Sequence, residues 1–265
     1  MAAQRTALIT GASSGIGAAF AEVFAADGWN LVLTARREDR LRILAGRLTR
    51  EYGVTVAVIT ADLAEPDAPA RIVAELRAQA LRVDALVNNA GYGVPGAYLR
   101  SPWSRHDAML RVMVTSVAEL THLLLPDMLE RGYGRIINVA SLAGLVPSPG
   151  GHTLYAATKA FLIKFYEALG HEVRRNGVNV TALCPGFTYS EFHDVTGTRE
   201  QMKTLPSWLW LDAATVARQG YDAVMAGEPM YINGRVNRTI AALVKFAPQR
   251  LIRSVERRLG HRKLE

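Results

Sequence analysis

With 265 residues, 49% of them hydrophobic, the chain is long enough to bury a large core in one domain. Its single cysteine, Cys184, excludes an internal disulfide and leaves too few thiolates for a zinc or iron–sulfur centre. The net charge of +7 is concentrated: residues 230–265 carry nine Lys/Arg and two Glu, which leaves the rest neutral and argues against a globally basic nucleic-acid binder.

No Pro/Gly/Ser linker, low-complexity tract or solenoid-period repeat interrupts the chain. Its start runs into an apolar strand without a leader-like stretch, and no unbroken apolar run reaches about 18 residues. A cytoplasmic protein without a transmembrane segment is expected. Apolar, β-rich runs recur at Thr6–Thr10, Trp29–Thr34, Val54–Thr60, Ala85–Asn88, Arg135–Ala140 and Val178–Leu183, with a short seventh at Met230–Ile232. Segments of helical period separate them. Continuous apolar strands alternating with helices imply right-handed crossovers and a doubly wound parallel sheet with helices on both faces. Ligands of such a sheet bind beyond the carboxyl ends of its strands.

The first strand runs into Thr10-Gly11-Ala12-Ser13-Ser14-Gly15-Ile16-Gly17 and the helical stretch from Ala18 to Ala26. Gly11 permits a tight turn, Gly15 brings backbone close to a phosphate, and Gly17 lets helix pack on strand. Gly11, Ser13, Ser14, Gly15, Ile16 and Gly17 are therefore expected at a pyrophosphate, with the positive end of the helix dipole behind them. No Gly-Lys-Ser/Thr follows, which disfavours a nucleotide-hydrolysing P-loop. Strand two ends Leu33-Thr34-Ala35-Arg36-Arg37. Ala35 stands where an acid would hold a ribose diol, and the guanidiniums suit a 2′-phosphate, so NADP(H) is expected over NAD(H). Arg36 is the preferred contact; Arg37 equally begins the charged helix Glu38–Arg50.

Downstream, Asn88-Asn89-Ala90-Gly91 follows strand four, Ser141 follows strand five, Tyr155-Ala156-Ala157-Thr158-Lys159 lies in a helical pattern, and Pro185-Gly186 follows strand six. Together with the glycine turn this series resembles the short-chain dehydrogenase/reductase family over about residues 5–235. The resemblance implies a Rossmann-type domain over residues 1–235. It also implies adenine contacts from Asp62 and Leu63, ribose contacts from Asn89, Ala90, Gly91 and Lys159, and a carboxamide contact from Thr188 beside Pro185 and Gly186. Asn88 is read as structural. Tyr155 and Lys159, four apart, share a helix face. An ammonium beside the phenol is expected to lower its pKa, making Tyr155 the proton donor and Ser141 the hydrogen-bond donor to the substrate oxygen.

Two positions depart from the family pattern. Met113 occupies the place of a catalytic Asn and cannot offer an amide, leaving Thr115 or Ser116 as nearby hydroxyls. The interval from Ser141 to Tyr155 is one residue longer than usual, in Pro147-Ser148-Pro149-Gly150-Gly151. Residues 189–211, with Phe192, Trp208 and Trp210, are read as a cover over the substrate, the tryptophans equally as core. His106, His122, His152, His171 and His193 show no metal-ligand spacing, and no metal is expected.

The resulting expectation is an NADP(H)-dependent carbonyl reductase or alcohol dehydrogenase that moves a hydride between NADPH and an apolar ketone or aldehyde. A 3-oxoacyl-carrier-protein reductase and a non-catalytic NADP-binding protein are the alternatives. Residues 236–265 read as a basic amphipathic helical extension. Val236, Ile240, Leu243 and Val244 form one apolar face and Leu251, Ile252, Val255 and Leu259 another, ringed by Arg250, Arg253, Arg257 and Arg258. This extension is expected to close the substrate pocket or a homodimer or homotetramer interface, with peripheral membrane contact as the alternative.

Overall fold

The sheet strands carry apolar side chains on both sides because both sides are covered. In the computed structural model, which describes residues 4–148, 150, 151, 153–191, 206–248 and 250, the elements run β1 (Thr6–Thr10), α1 (Gly15–Ala26), β2 (Asn30–Ala35), α2 (Glu38–Tyr52), β3 (Val56–Thr60), α3 (Ala68–Ala78) and β4 (Ala85–Asn88). They continue α4 (Trp103–Leu110), α5 (Ser116–Glu130), β5 (Gly134–Val139), α6 (Thr153–Val173), β6 (Val178–Cys184), α7 (Ala213–Ala226), β7 (Met230–Ile232) and α8 (Arg235–Phe246). All strand pairs are parallel, in the order β3-β2-β1-β4-β5-β6-β7. The order reverses between β1 and β4, and there the strand ends diverge into a crevice.

Side-chain alternation divides the core. Leu8, Leu86, Ile136 and Ala182 face α3, α5 and α6, while Ala7, Ile9, Val87, Ile137 and Leu183 face α1, α2 and α7. Strands β2 and β3 start slightly later than the apolar runs suggest. Trp29 turns its indole edge-on to Phe24 at 5.2 Å instead of pairing, and the Asn30 side chain accepts from the Thr55 backbone N–H at 2.9 Å.

Between α4 and α5 the helix widens into a π turn at Arg111–Thr115. The combined stretch Trp103–Glu130 is long and apolar enough to cross a membrane by length and composition, although no unbroken apolar run marks it. Here it lies on the sheet, with Leu120, Leu124 and Met128 in the core.

On α8, Asn237 is the buried residue. Of the expected apolar face, Ile240 and Val244 are half-buried while Val236 and Leu243 are exposed. The second predicted helix, including Leu251, Ile252, Val255 and Leu259, falls outside the described residues.

The sheet and α6 are joined by a buried polar cluster. The Tyr166 hydroxyl, in a fully buried side chain, accepts from Asn88 Nδ2 at 2.7 Å and lies 2.8 Å from Thr121 Oγ1. Asn88 is thus structural in its contacts, as expected. Tyr166→Phe removes a partner from two buried groups and should destabilise the fold by about 1–3 kcal/mol. Denaturant unfolding at equilibrium measures this; a loss below about 0.5 kcal/mol would show that the cluster repairs itself.

Candidate active site

The glycine turn is shaped by close approach. A Cβ on Gly17 would stand 2.3 Å from the Gly11 carbonyl oxygen, and Gly11 itself sits at φ +67°. The Asn89 side chain fastens this turn to β4: its Nδ2 donates to the Thr10 and Gly11 carbonyls at 2.9 and 3.3 Å. The Thr10 hydroxyl receives the Asn89 and Ala90 backbone N–H groups. Asn89 is therefore occupied in holding the crevice together. The Ser14 side chain does not cap helix α1, so it leaves the helix's first N–H groups to other acceptors.

A cavity of about 720 Å³ runs along these strand ends. Its floor draws on the segments after β1 through β6. Every expected site residue except Gly17 borders it, including Gly11, Ser13, Ser14, Gly15 and Ile16 at the turn, Asn89, Ala90 and Gly91 after β4, and Pro185, Gly186 and Thr188 after β6. Gly17 acts by packing instead. The Thr188 hydroxyl donates to the Gly186 carbonyl at 3.1 Å.

The far wall at β2 is charged. Arg36 is largely exposed and reaches Asp62 at 3.9 Å. Arg37 is the more engaged of the pair: Nη2 donates to the Ser13 and Ser14 hydroxyls, each at 2.9 Å, and Nη1 to Glu191 at 2.8 Å. Asp62 Oδ1 accepts from the Ala64 backbone N–H, and the Leu63 carbonyl accepts from Ser116 Oγ at 2.8 Å.

At the β5 end, Ser141 leaves the strand with extended backbone, and its hydroxyl accepts from Ala143 N–H at 3.1 Å. It is also hydrogen-bonded to Tyr155, one helical turn before Lys159 on α6. Burial pushes the Tyr155 phenol up to about 12, against a smaller lowering by Ser141. This is opposite to the expected lowering. The reason is that Lys159 is itself buried and pushed down to about 8, and its ammonium turns to the Val139 carbonyl at 2.7 Å, 5.6 Å from the Tyr155 ring centre. A phenol in this state keeps its proton at neutral pH and can give it away only where charge develops beside it.

Met113 is buried within the π turn and packs against Gly91, contributing no polar side-chain atom. Neither nearby hydroxyl replaces the missing amide: Thr115 is exposed, and Ser116 is committed to Leu63. Trp208 is exposed, and Trp210 stacks on Tyr189 at 4.8 Å beside Phe187, so neither tryptophan is core. Phe192, His152 and His193 fall outside the described residues. Cys184 is buried behind Ser141, its thiol pushed up to about 12 by burial. Among the described residues no three His, Cys, Asp or Glu side chains cluster to hold a metal.

The sequence reading missed Tyr92 as a cavity residue, and it reached Glu191, Asn237 and Ile240 only as parts of segments expected to cover or close the pocket. Tyr92, adjoining Gly91, could have been inferred from adjacency. For the others the segment was expected at the pocket, but which side chain on it would border the cavity was not.

Fold and site together define an α/β oxidoreductase. The chain belongs to the short-chain dehydrogenase family, whose model, described as short chain dehydrogenase, matches residues 5–201. It is 41% identical over 186 residues to a sulfoacetaldehyde reductase of Chromohalobacter salexigens, an alignment covering 69% of this chain and 72% of that protein. Among solved structures it superposes on a short-chain dehydrogenase from Sphingobium yanoikuyae in complex with NADPH, with a TM-score of 0.83, 32% identity and coverage of 94% and 95% of the two chains. It also superposes on the bulky-bulky ketone specific alcohol dehydrogenase from Comamonas testosteroni (TM-score 0.76, 32% identity, coverage 92% and 95%).

The buried Lys159 sets a pH limit. Its positive charge would favour a phenolate at Tyr155, and that charge is lost as pH rises through about 8. Carbonyl reduction should hold steady below that point and fall above it. A pH profile of kcat/KM that stays flat up to the range of an ordinary lysine would contradict the shift.

Proposed function

We propose that the chain is an NADP(H)-dependent carbonyl reductase, reversible as an alcohol dehydrogenase, acting on an apolar ketone or aldehyde. The observation that carries this reading is the chemical division of the cavity. Arg36, Arg37, Asp62 and Glu191 gather at the β2 end, whereas Lys159 is the only charged side chain bordering the β5 end among the described residues. Three strand spacings of about 4.8 Å separate β2 from β5, a span suited to an extended dinucleotide.

The chain's groups fit that cofactor. The missing Cβ atoms of Gly11 and Gly17 leave the close turn, the first N–H groups of α1 attract a pyrophosphate, and Arg36 and Arg37 offer donors to a 2′-phosphate. When bound, the nicotinamide supplies or removes the hydride. Ser141 holds the substrate oxygen by hydrogen bonding, Tyr155 delivers its phenolic proton to that oxygen, and Lys159 stabilises the phenolate that remains. In the reverse direction Tyr155 takes the proton back. The related dehydrogenase in complex with NADPH supports the choice of cofactor.

The substrate end is walled by Leu142, Val146, Pro147, Leu209 and Ile240. Apolar surface of this extent favours a ketone with hydrophobic substituents, and among the described residues no Arg side chain borders the cavity beside Leu142, Val146, Pro147, Leu209 and Ile240 to pair with a sulfonate or carboxylate. This sets the expected substrate apart from that of the related sulfoacetaldehyde reductase. A carrier-bound 3-oxoacyl group is the second reading, supported by the basic residues at 230–265, which suit an acidic carrier. A cytoplasmic homodimer or homotetramer completes the proposal.

Two measurements bear on it directly. Tyr155→Phe should lower kcat and kcat/KM for reduction together by about a hundred- to ten-thousand-fold while NADPH still binds. Retention of most of kcat, with hydride transfer limiting in both proteins, would remove Tyr155 as proton donor. Alanine at Arg36 or Arg37 should raise the KM for NADPH about ten- to a hundredfold and leave that for NADH little changed. Equal catalytic efficiency of the unmutated enzyme with both cofactors would overturn the NADP(H) assignment.

A further inference from the structure

Beside the glycine turn two guanidinium donors converge on one carboxylate. Arg37 Nη1 reaches Glu191 Oε2 at 2.8 Å and Arg40 Nη1 reaches Oε1 at 2.5 Å. The other face of the Arg37 guanidinium is fixed by Ser13 and Ser14. Glu191 is held close by its neighbour too: a Cβ on Gly15 would stand 2.9 Å from the Ser190 Cβ, so the chain at 190–191 rests on the turn itself. Both Arg37 and Glu191 border the cavity.

We propose that Glu191 is an internal anion occupying the 2′-phosphate site of the cofactor, and that it sets how strongly the protein distinguishes NADP(H) from NAD(H). This rests on the NADP(H) reading given above. Two guanidiniums and two hydroxyls form a cradle built for an anion of higher charge than one carboxylate. Against Arg37 and Arg40, Glu191 supplies a single negative charge and leaves one positive charge uncompensated. A phosphate carries up to two negative charges and more acceptor oxygens, so it matches the cradle better and displaces the carboxylate. The same pairing holds the Glu191 carboxyl down at about 2, through its hydrogen bonds to Arg37 and then Arg40, so the competitor is charged throughout the physiological range. A ligand lacking the 2′-phosphate leaves the pair intact and gains nothing from the cradle.

Calorimetric titration of the full chain with adenosine 2′,5′-bisphosphate and adenosine 5′-monophosphate tests this without turnover. Glu191→Gln removes the competing charge but keeps the shape. It should tighten the bisphosphate about three- to tenfold, as expected for losing half-exposed ion pairs, and leave the monophosphate unchanged. Discrimination by the unmutated protein combined with unchanged or weaker bisphosphate binding in Glu191→Gln would overturn the role of Glu191 while leaving the NADP(H) reading in place. Equal tightening of both ligands would overturn it as well, by moving the competition away from the 2′-phosphate. Failure of both proteins to distinguish the ligands would overturn both readings together. A purely structural ion pair would lower the melting temperature in the variant without altering the ratio of the two affinities, and that result also counts against the proposal.

Discussion

The contact between Gly17 and the Gly11 carbonyl is the constraint on which the site depends. With no room for even one methyl group, α1 is drawn down onto β1, and the Asn89 amide can then reach across to Thr10 and Gly11. That brace ties the carboxyl ends of β1 and β4 together at the place where the strand order reverses. The crevice lies where neighbouring crossovers part company, and its two walls are as rigid as the parallel ladders behind them. Side chains on α6 and the loop after β6 then need only be aimed inward.

Burial governs the chemistry more than charge does. Lys159 is buried and Tyr155 half-buried, and each is shifted toward its neutral form. A neutral phenol suits the donor role proposed for Tyr155, while a lysine shifted down to about 8 is sensitive to whatever is placed against it. The Lys159 ammonium donates to a main-chain carbonyl, that of Val139, and stands 5.6 Å from the centre of the Tyr155 ring.

Much of this was legible in the sequence, for identifiable reasons. Strands buried on both sides read as unbroken apolar runs, the glycines mark a turn that sterics force, and Ser141, Tyr155 and Lys159 follow the strand and helix that present them. What escaped notice depends on chain segments far apart. The choice between Arg36 and Arg37 turns on Glu191, 154 positions beyond Arg37. The sign of the Tyr155 shift turns on how deeply α6 is packed. Ser116 looked available beside Met113 until the Leu63 carbonyl, from the segment after β3, claimed its hydroxyl. Trp29 read as a strand residue because its hydrophobicity is visible locally and its partner Phe24 is not. Periodicity reports which side chains must leave water, and it is silent on which neighbour receives them.

Cys184 lies beneath Ser141 at the end of β6, fully enclosed and with its thiol held far from ionisation at neutral pH. Thiol reagents act on the thiolate, so the native chain presents them with almost no target. No other cysteine exists in the sequence. A cysteine introduced anywhere on the surface would therefore be the sole reactive handle on the molecule, and a fluorophore or spin label could be attached at one chosen point without first editing the wild-type residue away.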